Sequence, residues 1–299
     1  MKATNKLAEK LGSGKLALTA ACLPPHDSDA ASVKKLASYF PASLDGVVVA
    51  DNPSKVRGSA LACAALLAAE KLETMLSLIT RDRNRVALES DVLGASALGI
   101  KNFLCLSGAH QTLGACAQAA GAFDIDSTQL CQALAKMATQ GVDFDGNKLP
   151  SAPNFGIVVA VHPYLRPIEF SILQVKKKIA AGAQVLLTDP IFDVAGFEQW
   201  MQAVCAAGLD KKAAIVASVL PLQSVAQAEL LKARSGFAPI GDDVISRLKG
   251  ASDTAQAGIA IVSEIAGKVK AIAGVRGIHI LSDGCEQSVA KIIQEARLA

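Results

Sequence analysis

Eight short apolar runs, each stopped by a polar turn and followed by a segment of helical pattern, limit this chain to very few folds. One repeat shows the pattern most clearly. Thr74 to Ile79 is an apolar run of strand length, and it ends in the dense polar turn Thr80-Arg81-Asp82-Arg83-Asn84-Arg85. A helical pattern from Val86 to Leu98 follows, then a second buried-strand run, Asn102 to Leu106, closed by Ser107-Gly108. Continuous apolar runs suit strands covered on both faces, and strand–helix–strand units pair them in parallel. In such folds ligands bind at the carboxyl ends of the strands. The polar turn also has a plain role open to it, with Thr80 as the helix N-cap and Asp82 in the first turn.

The alternation continues through the chain. Strand-like runs fall at Leu16–Cys22, Leu44–Ala50, Met75–Ile79, Phe103–Leu106, Phe155–Val161, Gln184–Leu187, Ala213–Val219 and Gly277–Leu281. Asn5–Leu11 adds a short leading helix, stopped by Gly12 and Gly14. Ser28 or Asp29 can cap the helix that starts at Ala30, and the helix Ile168–Ala181 carries Lys176, Lys177 and Lys178 mostly on its outer side. Helices are also expected at Pro239–Arg247 and Thr254–Ala271, and Thr188-Asp189-Pro190 reads as a turn. No Gly-x-Gly-x-x-Gly follows the first strand, against an open dinucleotide-binding sheet. The expected fold is therefore α/β, a (β/α)8 TIM barrel in a single domain over residues 1–299, with a short N-terminal helix.

Composition excludes several classes of function. With 51% hydrophobic residues in 299, the chain can bury a large core. A net charge of +3, with one basic run at Lys176-Lys177-Lys178, gives no footprint for nucleic acid, and 4% aromatics gives no base-stacking platform. Seven cysteines, an odd number without Cys-x-x-Cys spacing, argue against a disulfide framework and a zinc knuckle. The most apolar stretch, Ser59 to Ala69, ends at Glu70-Lys71, short of the roughly 20 residues of a membrane span. Met1-Lys2 opens a polar segment unlike a signal peptide. A cytoplasmic protein acting on a small molecule is expected, without membrane or nucleic-acid partner, and with homo-oligomerisation open.

The strand-end loops offer His26 after Pro24-Pro25, Asp51-Asn52, Thr80-Arg81-Asp82, Ser107-Gly108 with His110, His162, Thr188-Asp189, Leu220-Pro221 and Ser282-Asp283. This set suits a phosphate-bearing or heterocyclic ligand but forms no catalytic triad. The histidines lack His-x-His spacing, so no metal site is expected. Asp143, Asp145 and Asn147 alternate as in a calcium loop, but the glycine and closing glutamate do not follow. Asp189 suits a base or a ligand hydrogen-bonder, and equally an Asx turn before Pro190.

Thr80-Arg81-Asp82-Arg83-Asn84-Arg85-x-Ala87-Leu88-x-Ser90-Asp91-x-Leu93-Gly94-Ala95, running on to Leu98-Gly99-Ile100-x-Asn102, resembles the flavin-dependent 5,10-methylenetetrahydrofolate reductases, the bacterial branch most closely. Leu23-Pro24-Pro25, Asp51-Asn52-Pro53, Phe155-Gly156-Ile157, Lys178-x-x-Ala181-Gly182-Ala183, Phe192-Asp193 and Gly274-Val275-Arg276-Gly277-Ile278-His279 match in the same order. The resemblance implies a TIM barrel that binds FAD at the strand ends and acts on a folate in one-carbon and methionine metabolism. It implies Arg81, Ser107, Gly108, His162 and Lys178 as FAD-binding residues, and NAD(P)H or an electron-transfer partner subunit as electron source.

The chain departs from the family pattern at chemical positions. The glutamate before Pro-Pro is Ala21, the threonine ending strand two is Ala50, the histidine of strand three is Met75, and the aspartate after strand four is Ala109. Asp189 stands where the family has a folate-contacting glutamine. Loss of a general acid typically costs ~10²–10⁴ in rate, so Asp189, His110 and His26 are the candidate catalytic replacements. Two alternatives stay open. One is a non-catalytic pterin- or flavin-binding or complex-forming subunit, and the other a barrel methyltransferase passing a folate methyl to a corrinoid.

Overall fold

A computed structural model describes residues 5–27, 29–53, 55–113, 116–233 and 239–298. The first half runs α1 (Lys6–Gly12), β1 (Ala17–Cys22), α2 (Ala30–Ala37), β2 (Gly46–Val49), α3 (Ala60–Ala69), β3 (Thr74–Ile79), α4 (Arg85–Ala97) and β4 (Asn102–Leu106). Next come α5 (Ser127–Gln140), β5 (Gly156–Val161), α6 (Ile168–Ala180), β6 (Val185–Pro190), α7 (Val194–Ala206) and β7 (Ala214–Val219). The chain ends with α8 (Val225–Ala233), α9 (Asp242–Lys249), α10 (Thr254–Val269), β8 (Val275–Ile280) and α11 (Val289–Glu295). All strands are parallel, in sequence order, and β8 pairs back to β1 to close a (β/α)8 barrel.

Side-chain alternation explains the apolar runs. On β1, Leu18, Ala20 and Cys22 face the helices, as Ile278 and Ile280 do on β8. The opposite set fills the barrel: Ala17, Val48, Met75, Leu104, Val158, Val185, Leu187 and Val216 form one cluster. Leu7 and Leu11 of α1 join that cluster and close the bottom of the barrel, each burial being worth about 1.5–3 kcal/mol. All that chemistry needs is thereby left to the opposite end, where β1–β8 finish. No helix among the described residues is long and apolar enough to cross a membrane.

Three local expectations are corrected, and one, the mostly outward lysines of α6, is sharpened. The N-cap of α4 is Asn84, whose Oδ1 accepts from Ala87 N at 3.1 Å, while the Thr80 hydroxyl is buried without a partner among the described residues. Four residues of turn separate Thr80 from the helix, too many for it to cap the first turn. Pro190 belongs to β6, at a register shift between Leu187 and Pro190 where its missing N–H removes no ladder bond. Lys178 points inward: its Nζ donates to the Ala160 carbonyl of β5. The single last helix that the sequence pattern predicts over residues 286–297 opens instead with a 3₁₀ turn, Glu286–Ser288, and α11 ends at Glu295. Asp29 caps α2, accepting from Ala31 N at 2.9 Å, and Ser28 lies outside the described residues.

Candidate active site at the barrel mouth

The mouth has two unlike sides. Over β2, β3 and β4 the polar turn that marks the sequence holds loops to one another. Arg81 grips its neighbour Asp82 through Nε and Nη2, both at 2.8 Å. The same guanidinium donates from Nη2 to Asn52 O at 3.0 Å and from Nη1 to Ala109 O at 3.1 Å, bridging the loops after β2 and β4. Arg83 reaches the buried carboxylate of Asp51, 2% exposed, and pairs through Nε with Asp91 at 2.9 Å. Asp51 also accepts from Ile79 N at 3.2 Å, so one carboxylate ties β2 to β3. Arg85 pairs with Asp124 at 2.9 Å, and Ala122 N and Phe123 N donate to the carbonyls of Arg81 and Thr80. The segment after β4 is thus laid back across β3. What remains open there is a pocket of about 200 Å³ lined by Asn52, Arg81, His110, Gln111 and Cys116 among others.

Gly108 belongs to the same clamp. Its φ of +80° is a left-handed conformation, and a Cβ there would stand 2.6 Å from Ile79 Cγ2 and 3.2 Å from Arg81 Cβ. Glycine is required by the approach of protein to protein. Ser107 Oγ accepts from Ser127 N at 3.1 Å, fastening the start of α5.

At β5 and β6, His162 Nδ1 donates to Asp189 Oδ2 at 2.8 Å. Burial pushes the Lys178 ammonium below its ordinary pKa, while the Asp189 charge pulls it up. Asp189 and His162 are thus brought together. His110 is not with them: it is exposed, stacks on Phe123 with centroids 6.3 Å apart, and bonds Thr112 Oγ1 at 2.7 Å. His26 is exposed on the β1 loop and lines neither pocket of the mouth.

The other side, over β1, β2, β7 and β8, is open. A cleft of about 1030 Å³ is floored by Ala21 and Ala50 and walled by Leu23, Tyr39, Leu220 and Leu281. Lys35, Lys55 and Arg57, from the stretches after β1 and β2, line it together with Asp283 and Glu286 after β8 and Asp27 on the β1 loop. Glu286 is 3% exposed, and its Oε1 accepts from Leu23 N at 2.9 Å and Ser282 Oγ at 3.0 Å. Sequence reasoning missed this residue, because a glutamate in the first turn of a terminal helix looks like a solvated one. The available signal was the Ser282-x-x-x-Glu286 spacing just past a strand end.

A family model described as methylenetetrahydrofolate reductase matches residues 7–297. The chain belongs to that family. No curated protein matches the sequence. Among solved structures, an uncharacterised protein from Clostridium thermocellum, described as binding two copies of 5-methyl-5,6,7,8-tetrahydrofolic acid, is similar at TM-score 0.67 and 12% identity, over 98% of this chain and 99% of that one. A riboflavin lyase (RcaE), solved with modified FMN and riboflavin, is similar at TM-score 0.55 and 10% identity, over 95% and 92%. DmoA from Hyphomicrobium sulfonivorans is similar at TM-score 0.52 and 12% identity, over 94% and 86%. These likenesses show the barrel.

Within the reductase family's pattern, the four replaced positions fall into different surroundings. Ala21 and Ala50 line the open cleft. Met75 is buried in the barrel among Val48 and Leu104. Ala109 supplies the carbonyl that Arg81 holds.

Proposed function

We propose that this member of the reductase family binds a reduced folate in the open half of the barrel mouth and serves one-carbon metabolism. The observation that carries the reading is the cleft over β1, β2, β7 and β8. Its roughly 1030 Å³ matches the upper end of small-molecule sites, about 300–1,000 Å³. Its floor is two alanines, flat enough for a heterocycle, and its lining carries both signs of charge. The folate named for the Clostridium thermocellum structure supports the same ligand class.

FAD, which the resemblance implies, is the weaker match to the residues that would hold it. Arg81 is committed to Asp82, Asn52 O and Ala109 O, so its charge is already met within the protein, while Lys178 gives one of its three N–H donors to Ala160 O. The space beside Arg81 is about 200 Å³, below the usual range for a cofactor. The second reading, a flavin-dependent reductase, is favoured by the family match over residues 7–297, with Asp189 and His162 as its proton-handling pair.

Calorimetric titration of the purified protein separates the two. The folate reading expects saturable binding of 5-methyltetrahydrofolate by colourless protein, and no uptake of FAD. A protein that purifies with flavin, or that binds folate only after FAD is added, would support the second reading instead.

A further inference from the structure

The open cleft contains a carboxylate with no cation. Glu286 is 3% exposed, and among the described residues no Lys, Arg or His forms an ion pair with it. Its Oε1 holds two neutral donors, Leu23 N and Ser282 Oγ. Its Oε2 accepts no hydrogen bond from the described residues, yet it is not sealed from the cleft that Glu286 lines. An ionised carboxylate this deep is costly unless its lone pairs are met. For the cations of the cleft the imbalance is reversed: Lys35, Lys55 and Arg57 form no ion pair among the described residues.

A ligand that completes both sets needs N–H donors at one end and negative charge at the other. A pterin carries adjacent donors, the ring N3–H and the 2-amino group, and the glutamyl tail of a folate carries carboxylates.

We infer that Glu286 is the pterin anchor of the cleft. Its Oε2 accepts from the N3–H and 2-amino edge, the ring lies over Ala21 and Ala50, and the glutamyl tail runs out to Lys35, Lys55 and Arg57. The inference rests on the folate reading and adds a direction to it, with the pterin inside and the tail at the rim. It also explains the small residues of the floor, since a side chain longer than alanine at position 21 or 50 would occupy the ring's place.

The test compares wild type with Glu286→Gln, which keeps an Oε1 acceptor for Leu23 N and Ser282 Oγ but loses the charge. Binding of 5-methyltetrahydrofolate and of p-aminobenzoyl-glutamate, the tail without the pterin, is measured for both proteins. Glu286→Gln is expected to weaken folate binding about 10–100-fold, the worth of a hydrogen bond to a charged group, and to leave the tail fragment unchanged. A Lys35→Ala/Lys55→Ala double variant is expected to weaken both ligands alike. If Glu286→Gln binds folate as wild type does, or loses the tail fragment equally, the anchor role is overturned while the folate reading stands. If wild type binds no folate, both fall.

Discussion

The two halves of the mouth spend their charged residues in opposite ways. Over β2–β4, Arg81, Arg83 and Arg85 are all paired, with Asp82, Asp51 and Asp91, and Asp124, and the Arg83–Asp51 and Arg85–Asp124 pairs join one loop to the next. Over β1, β2, β7 and β8, Lys35, Lys55, Arg57 and Glu286 stand around a large cleft without ion pairs among the described residues. A polar run that stands out in a sequence is therefore not the same thing as a binding site. Charges that satisfy one another build a wall; charges left unsatisfied around a cavity await a ligand.

The sharpest way to break this contrast is to remove the centre of the wall. Arg83→Met leaves Asp51, buried between β2 and β3, without its cation. Stripping one partner from a buried pair costs about 3–5 kcal/mol. Urea unfolding at neutral pH should show a loss of that size, with folate affinity of the surviving folded protein retained. A variant as stable as wild type would show that the turn is no clamp.

A smaller effect tests the floor beneath the open half. His279 of β8 and Thr19 of β1 are hydrogen-bonded at 2.9 Å inside the barrel, and burial pushes the His279 pKa down from 6.5 to about 4. Between those values the unfolded chain binds a proton that the folded chain refuses. Stability is unaffected above pH 6.5 and falls as pH drops from there toward 4. The gap corresponds to about 3 kcal/mol, at ~1.4 kcal/mol per pH unit. Unfolding free energies at pH 7 and pH 4.5 should therefore differ less in His279→Gln than in wild type, by about 2–3 kcal/mol. Equal pH dependence in the two proteins would mean that another group governs acid stability.

The barrel was legible because burial on both faces leaves uninterrupted apolar runs, and each of the eight strands overlaps one of them, although β6 runs on to Pro190 and β8 starts at Val275. What the sequence could not show was where side chains turn. Lys178 sits in a run of three lysines that looks solvated, and only the packing of α6 on β5 brings its ammonium to Ala160 O. Arg81 is a ligand residue by the family resemblance alone, and its partners Asn52 and Ala109 lie 29 and 28 positions away, where no local pattern shows them. Glu286 is linked to Leu23 across 263 positions, a separation that no local pattern records. Asp189 and His162, expected separately at two strand ends, meet because β5 and β6 are neighbours in the barrel.

Hydrogen–deuterium exchange with and without 5-methyltetrahydrofolate tests most directly which half of the mouth receives the ligand. Folate should slow exchange at residues 21–27, 55–57 and 281–287, around the open cleft, and leave 79–85 and 107–111 unchanged. Protection centred on Arg81, on Ser107 to His110 and on His162, with none near Glu286, would contradict the account.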